Sequence, residues 1–397
     1  MTQVAQPTDS RIQTALTQAP LQSSKHACSY FAIRKPKENF FEGWYLRISL
    51  PDSNESFAFM FAIEAPDRGT VQLLSADDRL YVCDLPNNGG RFVGSKERFD
   101  ISHWAYKEQC KNGKQEAEAS NGRPVMQGYK LCGTSCHGCF ESHDRGTDAT
   151  LVQWGVDYTP MLTWGSRGTS RHTATWLAQF PIFEPGYQVL MAHGVVTSGY
   201  IRYRNREIKL AGSSVYSEKN WGQSFPTKWW WVQANAFKGE PDLSVLAVGA
   251  TRQVLFWTED IGMLSVHYKG ELYEFSNWNS EVVWDVSEWG SWKASAKSLT
   301  GHEIGIEAHT DESAVEVLGP SKDGMVFNIR DCSRGNLTVT LKDEFGNNIL
   351  EGVRCSNAQV EVGGEWNGRW AATVRVLPWL IRFFINLFNG PKVATTP

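Results

Sequence analysis

One stretch in the middle of the chain combines ionisable side chains with consecutive tryptophans. Residues 216–233 read YSEKNWGQSFPTKWWWVQ, in which Glu218 and Lys219 come shortly before Trp229 and Trp231. Carboxyl and amine groups perform acid–base chemistry when a site holds them in place, and a buried indole N–H needs a hydrogen-bond partner. The stretch therefore predicts either an ordinary strand core or the wall of a pocket for a large apolar ligand.

The residues around the tryptophans favour a strand that is apolar on both of its faces. Side chains alternate between the two faces of a strand. The faces of a strand over 227–234 would carry Trp229, Trp231 and Gln233 on one side and Lys228, Trp230 and Val232 on the other. Such a strand lies in a two-sided core or lines a barrel around a cavity. The polar neighbours favour the cavity, because buried polar groups need partners.

Composition points to a large all-β protein without a nucleic-acid partner. The 397 residues include 17 Trp, 20 Phe and 35 Gly, a combination typical of strands joined by many turns. Lys and Arg number 39 against 43 Asp and Glu, which gives a net charge of −4 and no basic field for nucleic acid. GxGxxG and P-loop patterns are absent from the sequence, which argues against a bound nucleotide.

Strand and hairpin patterns run through most of the chain. The segment FAFMFAIEA (57–65) alternates aromatic and small side chains, as a half-buried strand does. Hairpin turns are predicted at Arg204–Asn205, at Lys269–Gly270 and near Gly346–Asn347. The segment 107–150 has little periodicity, so we expect it to form long loops on the first β-domain.

The eight cysteines are too sparse for a disulfide scaffold in a chain of this length. Cys132, Cys136 and Cys139 cluster, with His137 and His143 nearby. These are ligand types for zinc, but no second CxxC completes the usual pattern. We therefore predict free thiols on a loop and no metal, with a zinc site as the alternative.

Five segments carry a resemblance to a known family. They are FFEGWY (40–45), FPIFEP (180–185), YSEKNWG with FPTKWWWVQ (216–233), VHYKGELYEF (266–275) and VEVGGEWNGRW (360–370). In this order they resemble the tocopherol cyclases of plants, algae and cyanobacteria, over roughly residues 40–370. The sequence is also distantly similar to carotenoid 1,2-hydratases. That resemblance implies an all-β fold of two lipocalin-like (calycin-type) β-barrel domains in tandem. The residue pattern at the end of the chain adds a short C-terminal helix.

The sequence departs from the family pattern at a few positions. Gly186–Tyr187 stands where the family usually has a His-Trp pair after FEP. Lys269 stands where the family has an Asp in a turn. The long motif around the tryptophans is unaffected by these changes.

The resemblance implies a redox-neutral ring closure of a phytylated benzoquinol to a chromanol. A proton adds to the alkene, a tertiary cation develops, and the quinol hydroxyl oxygen closes the ring on it. This chemistry needs an acid that stays protonated, aromatic faces for the cation and a dry pocket. It requires no cofactor.

Three carboxyl groups are candidates for the acid. Glu218 comes first, because it matches the acidic residue before Trp-Gly in the hydratase-like relatives. Its alternative is a structural ion pair with Lys219 or Lys228. Glu42 is second, with backbone hydrogen bonding at a strand end as the alternative, and Glu184 is third, with a turn role as the alternative.

The remaining candidates surround the substrate. His193 or His267 would orient the quinol hydroxyl or accept its proton, unless each is an ordinary core histidine. The catalytic set is Glu218, Glu42, His267, Lys219 and Asn220. The substrate-binding set is Trp44, Tyr45, Trp221, Trp229, Trp231, Gln233, Tyr268, His193 and Glu184.

We expect a flexible N-terminal segment over 1–24, barrel domains over 25–205 and 206–375, and an amphipathic helical tail over 376–397. The first segment is polar and lacks the apolar run of a secretory signal. In the tail, VLPWLIRFFINLFNGP (376–391) has one polar stripe and is too short to cross a bilayer. It would lie on a membrane or lipid globule, or else plug a barrel mouth.

The expected partners are a prenylated benzoquinol and a lipid surface. The family implies a plastid, at plastoglobules or thylakoids, for a plant or algal protein. For a cyanobacterial protein it implies peripheral attachment to a membrane in the cytoplasm. Two other functions stay open, namely a lipocalin-like carrier of isoprenoids and an isoprenoid hydratase.

Overall fold

The computed structural model describes residues 40–64, 68–86, 90–106, 126–142, 150–173, 183–254 and 256–377. These residues form 23 strands in two antiparallel sheets and no α-helix. The all-β fold expected from the sequence is confirmed. No described helix is long and apolar enough to span a bilayer.

The first sheet has 12 strands in the order β4-β3-β2-β1-β12-β10-β9-β8-β7-β6-β5, with β11 paired to β10. The strands are β1 (Phe41–Ser49), β2 (Ser56–Glu64), β3 (Arg68–Leu74), β4 (Leu80–Pro86), β5 (Gly90–Gly94), β6 (Asp100–Tyr106), β7 (Met126–Cys132), β8 (Ser135–Ser142), β9 (Thr150–Leu162), β10 (Gly186–Tyr203), β11 (Arg206–Lys209) and β12 (Ser214–Gly222). The centre of the sheet joins β1 to β12, which are far apart in sequence.

The second sheet has 11 strands in the order β16-β15-β14-β13-β22-β21-β19-β18-β17-β23, with β20 paired to β21. The strands are β13 (Lys228–Ala234), β14 (Ser244–Val254), β15 (Trp257–Tyr268), β16 (Glu271–Ser276), β17 (Ser280–Val286), β18 (Ser291–Ser298), β19 (Glu303–His309), β20 (Val315–Ser321), β21 (Gly324–Lys342), β22 (Asn348–Gly364) and β23 (Trp370–Val374). Here β13, the tryptophan strand, pairs in the interior of the sheet with β22, which lies far from it in sequence.

The predicted hairpin turns are present and follow from local backbone chemistry. Arg204 and Asn205 both have positive φ, 48° and 61°, and Tyr203 pairs with Arg206 across them. Lys269 and Gly270 likewise have φ of 52° and 87°. Two consecutive residues with positive φ give the turn whose twist matches that of the flanking strands.

Each sheet curls around its own apolar core, and a third cluster lies between the sheets. The core of the first sheet includes Phe57, Phe59 and Phe61, which the alternation in β2 predicted. The core of the second sheet includes Trp230. Trp229 and Trp231 belong to the third cluster, which also takes residues from the first sheet. The two faces of the tryptophan strand therefore serve two different interiors.

The prediction that 107–150 forms long loops is wrong for residues 126–142. These residues form β7 and β8, because Tyr129, Leu131, Cys136 and Phe140 supply an inward-facing set of side chains, all fully buried. The cysteines of this segment therefore lie on or next to strands and not in long loops.

The change from the first sheet to the second falls between Gly222 and Lys228. The expected domain boundary at 205/206 lies inside the hairpin of β10 and β11, and the division into domains stays a prediction. The expected flexible segment 1–24 and the helical tail beyond Leu377 lie outside the described residues.

Candidate active site

A cavity of about 230 Å³ lies between the two sheets, and it is lined mainly by apolar and aromatic side chains. The first sheet contributes residues of β1, β2, β10 and β12, and the second contributes β13, β14, β15 and β22. Its walls include Phe41, Tyr45, Tyr187, Trp229, Trp231 and Met263. The few ionisable groups in this lining are therefore the ones able to act on an apolar ligand.

Strand alternation decides which member of the Glu-Lys-Asn cluster reaches the cavity. In β12, Glu218 and Asn220 point to the face that looks towards the second sheet, and Lys219 points to the other face. Glu218 pairs in register with Tyr45 of β1, which lines the same cavity. Neighbours in sequence thus enter different environments.

Glu218 is buried and accepts hydrogen bonds on both of its carboxyl oxygens. Tyr216 and Tyr187 donate to Oε2 over 2.5 and 2.6 Å, and the Asn220 amide donates to Oε1 over 3.2 Å. Burial raises the pKa of Glu218, and the hydrogen bonds oppose that rise by favouring the anion. The result is a carboxyl group whose proton affinity is increased and whose orientation is fixed.

Glu42 and Lys219 form a buried ion pair on the opposite face of the first sheet. Lys219 Nζ lies 2.8 Å from Glu42 Oε2, and both side chains are almost wholly inaccessible. The ammonium group also lies over the rings of Trp44 and Trp221, at 5.3 and 5.2 Å from their centroids. Lys219 thus pairs with Glu42 rather than with Glu218, and neither partner lines the cavity.

A second cavity carboxyl belongs to Glu361 of β22, a residue outside the candidate sets. Its Oε1 accepts a hydrogen bond of 2.5 Å from the indole N–H of Trp229. Its register partner in β13 is Trp231. Burial, with the negative charges of Asp331 and Glu218, raises the pKa of Glu361 well above its usual range. Glu361 is partly accessible because it lines the cavity, although protein surrounds the carboxyl group.

A buried polar chain joins the two sheets next to the cavity. Arg47 of β1 donates to Gln359 over 3.1 Å and to Gln233 over 2.8 Å. Gln359 in turn donates to Asp331 over 2.6 Å. Burial raises the pKa of Asp331 to about 7. Gln233, a predicted substrate-binding residue, is therefore bonded to Arg47 and does not line the cavity.

The two candidate histidines lie together away from the cavity. His267 packs edge-on against Trp164 and hydrogen bonds with the backbone of Gly165 and Thr163. Burial lowers the pKa of His267 to about 3, so the ring is neutral and a weak base at neutral pH. His193 lies close enough to affect that pKa, and neither ring lines the cavity.

Three further predicted residues also lie outside the lining. Tyr268 of β15 donates to Glu240, which lies in the connection between β13 and β14, over 3.1 Å. Glu184 accepts from the backbone N–H of Gln223 over 3.1 Å, as a turn residue does, although its neighbour Pro185 lines the cavity. Trp221 covers Lys219. The structure thus gathers a subset of the predicted residues in the cavity, namely Trp44, Tyr45, Glu218, Asn220, Trp229 and Trp231.

Sequence reasoning missed Tyr187, Tyr216 and Glu361. Tyr187 stands at a position where the sequence departs from the family pattern, and that departure was the signal for it. Glu361 sits between two valines in VEV, so alternation places it opposite the face that carries Val360 and Val362. A lone carboxyl on the outward face of a core strand is common on protein surfaces, and only the second sheet's position against the first makes this face a cavity wall.

The cysteine segment offers no metal cluster among the described residues, and His143 lies outside them. Cys136 is buried and accepts from the Trp154 indole over 3.1 Å. Cys139 donates to the carbonyl of Met126 over 3.4 Å. Cys132 lies near Ser135, at 3.1 Å. Each described thiol of the segment therefore has its own local partner.

Known proteins resemble the chain over most of its length. A maize (Zea mays) protein named chloroplastic tocopherol cyclase is 31% identical over 370 residues, covering 85% of this chain and 77% of the relative. A rice (Oryza sativa subsp. japonica) protein named probable chloroplastic tocopherol cyclase is 30% identical over 368 residues, covering 84% and 77%.

Among solved structures, a putative AttH protein from Nitrosomonas europaea superposes with a TM-score of 0.45 and 14% identity, covering 87% of this chain and 98% of that one.

The family profile described as tocopherol cyclase-like matches residues 38–364, which include both sheets' cavity walls. On that match and on the identity to the plant proteins, the chain belongs to the tocopherol cyclase-like family.

Proposed function

We propose that this protein is a tocopherol cyclase, an isomerase that closes a phytylated benzoquinol to a chromanol in the cavity between the sheets. The observation that carries the proposal is the meeting of carboxyl groups and tryptophan faces in one apolar cavity. Glu218 and Glu361 both line it, as do Trp229 and Trp231. Family membership supports the same reaction.

The cavity meets the requirements of a carbocation mechanism. Burial raises the pKa of both Glu218 and Glu361, and that of Glu361 rises well above its usual range, which favours a protonated acid in the cavity. The indole rings of Trp229 and Trp231 offer π-faces to a developing tertiary cation. The apolar lining excludes water that would otherwise capture the cation. The reaction is an isomerisation, so its balance needs no redox cofactor.

The polar groups of the cavity suit the quinol head. Glu218 and Asn220 lie side by side with the hydroxyl groups of Tyr187 and Tyr216 at one wall. A quinol hydroxyl bound there would have hydrogen-bond acceptors within reach, while Met263 and other apolar side chains face the phytyl tail. Glu218, the first candidate from the sequence, is the one predicted carboxyl that lies where the reaction would occur.

Product analysis tests the proposal directly. The purified full chain is incubated with a phytyl-benzoquinol under reducing conditions, and the products are separated by chromatography. Formation of the chromanol supports the cyclase. A hydrated product would identify a hydratase, and recovery of unchanged quinol bound to the protein would identify a carrier.

The setting of the reaction is part of the proposal. The plant relatives are named chloroplastic, which supports a plastid location for this chain. A cyanobacterial source would instead place it in the cytoplasm at a membrane. A phytyl-bearing substrate resides in lipid, so we propose peripheral attachment to a membrane or lipid globule, which liposome flotation tests.

A further inference from the structure

Glu361 occupies a position in the cavity that differs from that of Glu218. It lies between Val360 and Val362, both buried in the core of the second sheet, so its side chain projects from the opposite face of β22. Its hydrogen bond comes from the indole of Trp229, and Trp231 is its neighbour across the ladder. The carboxyl group therefore lies beside the two rings suited to a cation.

The surroundings of Glu361 favour its protonated form. No ion pair with a basic side chain involves it in the part of the chain that the structure describes, and its charged neighbours, Asp331 and Glu218, are acidic. One hydrogen bond, from Trp229, opposes their effect. A carboxyl group in an apolar wall beside like charges keeps its proton.

Compared with the surroundings of Glu361, those of Glu218 favour the ionised carboxylate. Three donors point at its oxygens, from Tyr187, Tyr216 and Asn220. Two carboxyl groups in one site whose environments differ in this way divide the acid and base roles between them. Glu218 lies at the hydroxyl-rich wall, and Glu361 lies at the indole wall.

We propose that Glu361 is the catalytic proton donor to the substrate's alkene, and that Glu218 accepts the proton of the quinol hydroxyl. This assignment rests on the cyclase function proposed above and deepens it. Glu218, which the sequence placed first as the acid, becomes the acceptor because the tyrosines surround it.

The step balances without any further reactant. The proton leaves a Glu361 oxygen and forms a C–H bond with the alkene's π electrons, which creates the tertiary cation beside Trp229 and Trp231. The quinol oxygen forms the C–O bond as its O–H bond breaks, and that proton goes to Glu218. Glu361 is left as a carboxylate next to the cation site, and transfer of one proton from Glu218 to Glu361 restores the starting state.

The variant Glu361→Gln tests the assignment in the full chain. The amide oxygen can still accept the hydrogen bond from Trp229, so the local packing is preserved while the acid is removed. We expect kcat for chromanol formation to fall at least about a hundredfold, which is the lower end of what a general acid contributes to the rate. KM should change little. The matched control is Glu274→Gln, which removes a largely buried carboxyl outside the cavity that pairs with Arg171, and its kcat should be unchanged.

Two readouts separate the chemical role from a structural one. Infrared difference spectra of wild type minus Glu361→Gln near neutral pH should contain a protonated-carboxyl C=O band. Burial is the main cause of the raised pKa of Glu361, and the negative charge of Asp331 adds to it; that charge is gone in the variant Asp331→Asn. The alkaline limb of its pH–rate profile should therefore shift to lower pH, because Glu361 then loses its proton sooner.

Each result has a definite meaning. A folded Glu361→Gln enzyme with near-wild-type kcat overturns the assignment and leaves the cyclase function standing, provided wild type forms the chromanol. If wild type forms no chromanol, the proposed function fails, and the assignment fails with it. If Glu361→Gln does not fold, an unshifted alkaline limb in Asp331→Asn overturns the assignment by itself.

Discussion

Asp331 should make the protein less stable as the pH rises towards neutrality. It is buried between the sheets, where Gln359 donates to it, and burial raises its pKa from 3.8 to about 7. A carboxyl whose pKa is raised in the folded state stabilises fully below its unfolded pKa. That stabilisation is lost as the pH rises through the folded pKa. The variant Asp331→Asn removes this dependence and keeps an oxygen for Gln359.

The size of the effect follows from the shift. Moving the pKa from 3.8 to about 7 is a change of about three units, and each unit corresponds to about 1.4 kcal/mol. The free energy of unfolding of wild type should therefore fall by about 4 kcal/mol relative to Asp331→Asn between about pH 4 and about pH 8.

Urea denaturation at a series of pH values measures this difference. The control is Asp323→Asn, which removes the same charge from the exposed turn between β20 and β21. Its unfolding free energy should follow that of wild type at every pH. Parallel curves for Asp331→Asn and wild type would contradict the raised pKa, since they would mean that Asp331 titrates alike in the folded and unfolded chains.

Three further changes test the cavity. Glu218→Gln should lower chromanol turnover at least about a hundredfold with the fold retained, and a near-normal rate in a folded variant would remove Glu218 from the mechanism. Trp229→Phe, which keeps a weaker π-face, should reduce kcat less than Trp229→Leu; equal losses would indicate that the ring only fills space. Gly363→Ala should reduce kcat and thermal stability, because its Cβ would lie 2.0 Å from the Trp229 ring, whereas Gly305→Ala, with open space around it, should change neither. Rates come from the chromatographic assay and stabilities from thermal melts.

Local pattern in the sequence was enough to predict the strands and several turns. The alternation in β2 predicted its buried phenylalanines, and the Arg204–Asn205 and Lys269–Gly270 turns follow from residues that adopt positive φ. Alternation also placed Trp229 and Trp231 on a common face. These features depend on neighbours in the chain, so a single sequence contains them.

The sequence was less informative where a weak pattern hid a strand. Residues 126–142 are rich in Gly, Ser and Cys, so their alternation is shallow, and β7 and β8 were expected to be loops. Backbone pairing of β7 with β6 and of β8 with β9 stabilises these two strands, although their own sequence has only a weak strand preference. Pairing with stable neighbours overrides weak local preference.

The composition of the candidate site was decided by tertiary structure. The sequence predicted that Glu218 and the tryptophans act together, and alternation alone separates Glu218 from Lys219. It gave no sign that the cavity would lie between the sheets, since that depends on which outer faces pack together. Glu361 is 132 residues from Trp229, and it reaches the cavity because β22 pairs with β13. Pairing between strands so far apart in sequence depends on the packing of the whole chain. The face of a strand on which a side chain lies, and the position of a hairpin turn, depend only on the next few residues.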